Sequence, residues 1–124
     1  LKPTGRFVFA TSHPAFSRVD HKRIVELDDS SGEIETVYSI KIAGYNTAVT
    51  GKGVGVRGEP APHYYFDRPL HQILKAGFQA GLVVDGLEEP TFEGYEPQPE
   101  RPFSWVNYMD IPPALVVRMR RLRD

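Results

Sequence analysis

One stretch of this sequence carries a full set of helix signals, and the other regular segments read as strand. Asp67 is placed to cap a helix over residues 68–76, and Pro69 falls in its first turn, where a missing N–H costs nothing. Leu70, Ile73 and Leu74 share one helical face. Gly77 is expected to supply the left-handed residue that ends the helix, with Phe78 sealing that end by an apolar contact. One helix among strands limits the chain to a small sheet with a helix packed against it.

The strands differ in character. Residues 6–11 form an apolar run between a Pro-Thr-Gly turn and Pro14, the pattern of a buried strand. Residues 15–32 read as a polar linker with a turn cluster at Asp28-Asp29-Ser30-Ser31-Gly32, in which Ile24, Val25 and Leu27 can seat a short element. From Glu33, the residues Ile34, Thr36, Tyr38, Ile40 and Ile42 alternate with polar neighbours, the period-2 signature of a half-exposed antiparallel strand. A return strand through residues 47–56 would complete a hairpin. Residues 81–87 and 113–120 read as the last strands, joined by a loop that is acidic and proline-rich over residues 88–102. The expected order is strand, inserted hairpin, helix, strand, strand.

Length and charge narrow the function classes. At 124 residues the chain holds one domain and has no room for separate cofactor and substrate domains. Fifteen Lys and Arg against sixteen Asp and Glu, a net charge of −1, argue against bulk electrostatic binding to nucleic acid or anionic lipid. The absence of Cys removes disulfides, thiolate zinc sites, Fe–S clusters and a cysteine nucleophile, and makes the cytoplasm the default compartment. No stretch approaches the roughly 18 apolar residues of a membrane span, so a soluble chain is expected. The sequence begins with Leu1 rather than Met, which reads as a piece of a longer product.

Several motifs invite chemistry. The run from Gly51 to Gly58 has the glycine content of a phosphate-binding turn, but Glu59-Pro60-Ala61-Pro62 follows where a helix is needed, so a hairpin or loop is expected. His63, Asp67 and His71 are four residues apart, yet the helix covers only His71, so no metal face is expected there. His13 directly follows the first strand in Thr11-Ser12-His13-Pro14, a position where ligands gather in open sheets, and it is the candidate general base or orienting group. Aromatic residues concentrate in the insertion and the late loop, where they suit a planar or apolar ligand or close a small core from outside. The run Arg118-Met119-Arg120-Arg121-Leu122-Arg123 reads as a solvated strand end with no catalytic role.

Five motifs in order resemble the carboxyl-terminal part of class I S-adenosylmethionine-dependent methyltransferases of the small-molecule type. Leu1-Lys2-Pro3-Thr4-Gly5-Arg6 resembles the family's "L-K-P-G-G-R", with Thr4 in place of the first glycine, and Ser12-His13-Pro14 resembles its "S-H-P". Phe66-Asp67-Arg68-Pro69-Leu70 is similar to "H-R-P-L" with Asp67 replacing His, and it leads to the frequent "A-G-F" at Ala76-Gly77-Phe78. Leu87-Glu88-Glu89-Pro90 matches "L-x-E-P", and Ile111-Pro112-Pro113-Ala114-Leu115-Val116-Val117-Arg118 matches "I-P-x-x-L-V-x-R".

The resemblance implies an α/β fold: the fifth to seventh strands of a Rossmann-like methyltransferase, with one main helix and an inserted antiparallel β-hairpin. In that family the fifth, seventh and sixth strands lie side by side, the seventh antiparallel. It further implies a single domain over 1–124, with residues 15–62 as an insertion that covers a small-molecule substrate. His13 is then the catalytic residue, and Phe16, Tyr45, Tyr64 and Trp105 line the substrate. The glycine-rich loop and ribose-binding acid that hold S-adenosylmethionine have no counterpart here. The cofactor is therefore expected only in the full-length enzyme, with the missing amino-terminal half of the same polypeptide as partner. Without that half the first strand has an open edge, which invites homodimerisation. The alternative is a stand-alone α/β module that binds a small ligand or a protein and pairs through that edge.

Overall fold

A computed structural model describes residues 1–122. Its elements are β1 (Arg6–Ser12), β2 (Lys22–Asp28), β3 (Glu35–Lys41), β4 (Val49–Gly53), β5 (His63–Asp67), α1 (Leu70–Gln79), β6 (Leu82–Glu88) and β7 (Ala114–Arg121), with a short 3-10 helix at Trp105–Asn107. They form a three-stranded sheet in the order β1-β7-β6 and two hairpins, β2-β3 and β4-β5. β7 runs antiparallel to both of its neighbours.

The expectation of a partial Rossmann-like α/β fold is corrected. The chain is mostly β, 38% strand against 11% helical, in three small antiparallel sheets. A doubly wound sheet needs helices on both faces. Here α1 covers one face of the three-stranded sheet, and the connection from β1 to α1 contains strands rather than a helical crossover.

The single inserted hairpin is corrected to two. β3 pairs with β2, inside the segment read as a linker, and β4 pairs with β5. Local alternation identifies a strand but not its partner. In the β2-β3 ladder Lys22 faces Lys41 and Asp28 faces Glu35, so like charges meet at both ends and the pairing rests on its middle, Val25 opposite Tyr38. Isolated two-stranded hairpins are marginal in water, so tertiary anchors must hold them. For β2-β3 the anchors are Tyr38 edge-on to Tyr108 at 5.3 Å, Arg23 over Trp105, and the Tyr108 hydroxyl donating to Ile24 O. For β4-β5 they are Arg68 Nη1 donating to Val49 O and the Val19 N–H donating to Asp67 Oδ2.

The core lies between α1 and the sheet. Leu115, Val117 and Met119 alternate along β7 onto one face and are buried with Leu74, while Phe9, Leu70, Leu82 and Val84 pack around them. Gly77 does not stop the helix; it lies inside α1, where an added Cβ would come within 2.6 Å of the Met119 Sδ and Cε. The helix runs on to Gln79 and the left-handed turn falls to Gly81, at φ +74°. Phe78 stays 52% exposed rather than sealing the end.

Asp67 is not the helix cap either, because its carboxylate is taken by the Val19 N–H. Pro69 occupies the N-cap without a side-chain bond, and the Tyr45 hydroxyl accepts from the Leu70 N–H at 2.9 Å instead.

On the opposite face, a bulge between Val84 and Gly86 accompanies Asp85, whose carboxylate meets three guanidiniums. Arg118 Nε lies 2.9 Å from Oδ1, and Arg6 Nε and Arg120 Nε lie 3.2 and 3.3 Å from Oδ2. Arg118 and Arg120, expected as a merely solvated strand end, thus join Arg6 in tying all three strands to one carboxylate; Arg123 of that run lies outside the described residues.

Candidate functional site

β1 and β6 both run antiparallel to β7, so their carboxyl ends reach the same end of the sheet, next to the start of β7. His13 follows β1 there and Glu89 follows β6. His13 Nε2 lies 2.6 Å from Glu89 Oε2, and the Ala15 N–H donates to His13 Nδ1 at 3.1 Å. These two bonds assign the tautomer: Nδ1 is the acceptor, so Nε2 carries the proton and donates it to Glu89. Backbone bonds hold the same residue, from His13 N–H to Pro113 O and from Ser17 N–H to His13 O. Phe16 stacks on the imidazole at 4.5 Å.

The two partners differ in exposure. His13 is 7% exposed, whereas the Glu89 side chain is 47% exposed. The buried imidazole is fixed at both nitrogens, and the carboxylate it orients is the group that solvent or a ligand can reach.

Beside this pair, Ser12, Ser17, Arg18, Val19, Tyr65 and Asp67 enclose a cleft of about 170 Å³. Arg18 is its structural pin. Its side chain is 0% exposed; Nε and Nη2 donate to Asp20 at 2.9 and 3.1 Å, and Nη1 and Nη2 donate to Tyr45 O and Thr47 O at 2.6 and 2.7 Å. The Asp20 carboxyl is held below the ordinary carboxylate range; burial opposes its charge, but the Arg18 hydrogen bonds and charge outweigh that penalty. Next to it, the His21 side chain is buried, with no hydrogen-bond partner at either ring nitrogen among the described residues.

The expected substrate-lining residues separate. Phe16 lies against His13. Tyr45 is tied to the cleft through Arg18, but its hydroxyl caps α1. Tyr64 stands on the outer face of β4-β5, 58% exposed, with Lys52 Nζ 4.9 Å above its ring and Phe66 stacked beside it. It is the adjacent Tyr65 that lines the cleft, since successive strand residues point to opposite faces.

Trp105 belongs to a different feature, an open groove of about 570 Å³ that it shares with Arg23, Phe92, Arg101, Phe103 and Ser104. Burial pushes the neighbouring Tyr108 hydroxyl up from its ordinary range, with the Arg23 charge opposing it.

Glu89, Arg23 and Arg101 are the groups that reading residues one at a time missed. Glu89 had a signal, its place in the Leu87-Glu88-Glu89-Pro90 motif. Arg23 and Arg101 had none, because their meeting depends on how β2 packs on the late loop.

The glycine run does not make a cofactor cradle. Gly51 and Gly53 lie on β4, Gly58 turns at φ +93°, and the chain continues into β5 rather than into a helix start. Among the described residues no group of three or more His, Asp or Glu side chains could hold a metal ion. Among the described residues no helix is long and apolar enough to cross a membrane. No family model, curated protein or solved structure matches the chain, so the chemistry of these residues rests on their own geometry.

Proposed function

We propose that the chain is the substrate side of an S-adenosylmethionine-dependent methyltransferase that acts on a small molecule. The observation that carries this reading is the meeting of His13 and Glu89 at 2.6 Å across 76 residues of sequence. They come from two separate motifs of the resemblance. A third motif meets both, through the bond from His13 N–H to Pro113 O and the pairing of Val116 with Glu88.

In this reading His13 is a positioning residue, because both of its nitrogens are engaged. Glu89 presents its second carboxylate oxygen, for which no hydrogen-bond partner occurs among the described residues, to a proton on the acceptor group of the substrate. General-base help of this kind is worth about 10²–10⁴ in rate. In this reading S-adenosylmethionine is held by a segment of the same polypeptide outside this sequence, and the chain by itself is not competent to bind it.

The test expresses the chain with the polypeptide encoded directly upstream and follows label from methyl-tritiated S-adenosylmethionine into a library of small molecules. Transfer to at least one acceptor is expected. Glu89→Gln should lower kcat about a hundredfold with cofactor affinity unchanged, and His13→Ala should lower kcat more than it weakens cofactor binding. Absence of transfer, or full activity in Glu89→Gln, would overturn the proposal.

A second reading, a binding module that pairs through a strand edge, is favoured by one observation. Among the described residues β1 pairs only with β7, and Phe7 and Val8 are 48% and 58% exposed. The other edge strand, β6, is blunted by the bulge at Asp85, whereas the β1 ladder is regular. Sedimentation at high concentration checks it: a dimer abolished by a proline at Val8 supports edge pairing, and a strict monomer removes it.

A further inference from the structure

The groove around Trp105 combines features that point to one class of ligand. Its walls are aromatic and apolar, with Phe92, Phe103 and Trp105 among them, and its volume of about 570 Å³ falls within the range of small-molecule sites. Two guanidiniums line it and no carboxylate does. Arg23 and Arg101 take part in no ion pair among the described residues.

The Arg23 guanidinium and the Arg101 backbone are held in place, and neither charge is neutralised among the described residues. Arg23 stacks 5.1 Å over the Trp105 ring, and its Nη1 donates to Phe103 O at 2.7 Å, which leaves its other N–H groups free. Arg101 is set by the buried Asn107. The Asn107 side-chain amide donates to Arg101 O and Gln98 O at 2.9 and 3.0 Å, and its Oδ1 accepts from the Gln98 N–H at 2.7 Å. A neutral contact pins the loop, and the guanidinium charge is left over.

We propose that this groove binds an aromatic carboxylate, with the ring against the Trp105 and Phe103 walls and the carboxylate between Arg23 and Arg101. Arginine favours this group because its planar fork matches the two carboxylate oxygens. The site stands independently of the methyl-transfer reading, and neither His13 nor Glu89 lines it.

Trp105 is the single tryptophan of the chain, so its indole N–H gives one cross-peak in a ¹⁵N correlation spectrum and reports the groove directly. The probes are phenylacetate, the neutral isostere phenylacetamide, and acetate. Phenylacetate is expected to shift the indole peak saturably and to bind at least about tenfold more tightly than either control, as for loss of a charge-assisted pair or of the ring's apolar burial. Arg101→Gln removes an unpaired surface charge, so it should leave the melting temperature unchanged and weaken phenylacetate at least about fivefold. Equal binding of phenylacetate and phenylacetamide, undiminished binding by Arg101→Gln, or no saturable shift up to tens of millimolar would each overturn the assignment.

Discussion

The Arg18–Asp20 pair makes a quantitative prediction that does not depend on what the protein binds. Its members are unequal: the Arg18 side chain is 0% exposed and the Asp20 side chain 30% exposed. Replacing Asp20 by Ala leaves a guanidinium buried with two carbonyl partners and no counter-charge. Breaking a buried pair in this way costs about 3–5 kcal/mol, and partial solvation of the aspartate places this case near the lower figure. Replacing Arg18 by Met does less harm. The freed carboxylate reaches water, the methionine refills the buried stem volume, and the main loss is the pair of bonds to Tyr45 O and Thr47 O, about 1–2 kcal/mol in all.

The Asp20→Ala variant should therefore be the less stable of the two, and adding Arg18→Met to it should restore stability. For a chain of this size about 3 kcal/mol corresponds to a fall in Tm of roughly 10 °C. Urea unfolding followed by Trp105 fluorescence measures the cycle. An Arg18→Met variant as unstable as Asp20→Ala, or a double variant less stable than both, would refute the reasoning from burial asymmetry.

Two further predictions follow from other polar anchors. Asn107→Ala removes three bonds that hold residues 98–101 and should cost about 2–3 kcal/mol in urea unfolding; a loss under 1 kcal/mol would show that the loop does not depend on them. Asp85 should make the sheet acid-sensitive. Burial opposes its charge, but the Arg118 hydrogen bond and the charges of Arg118, Arg6 and Arg120 hold its carboxyl below the usual 3.8. Its stabilisation is thus complete above the unfolded-state value and is lost as pH falls through the lower folded value. Asp85→Asn should flatten the decline in stability below pH about 4, and an unchanged acid limb would remove Asp85 as its cause.

Much of the strand content was legible because period-2 alternation and turn residues are local. β1, β3, β6, β7 and α1 fall close to their expected spans. The pairing was not legible: the alternation over residues 34–42 is satisfied equally by a partner before or after it, and contacts with Trp105 and Tyr108 favour the one before. At the site, the strand-end position of His13 and the Leu87-Glu88-Glu89-Pro90 motif were visible separately. That they meet depends on the placement of β1 and β6 on either side of β7, which no local pattern encodes. Tyr45 and Asp67 exchanged expected roles for the same reason. A backbone N–H buried at a helix start must find a partner, and the nearest oxygen in space belongs to a residue 25 positions away.

The sequence by itself determined the range of possible chemistry: no thiol, near-zero net charge, a single helix and short strands broken by glycine and proline. Tertiary structure alone decided which polar groups meet. It gave Glu89 an imidazole partner, gave Asp20 the buried Arg18, and left Arg23 and Arg101 facing an aromatic groove with no carboxylate. Composition fixes the inventory of charges, whereas their pairing depends on distances across strands far apart in the chain, and it is pairing that decides whether a charge stabilises the fold or remains free to bind.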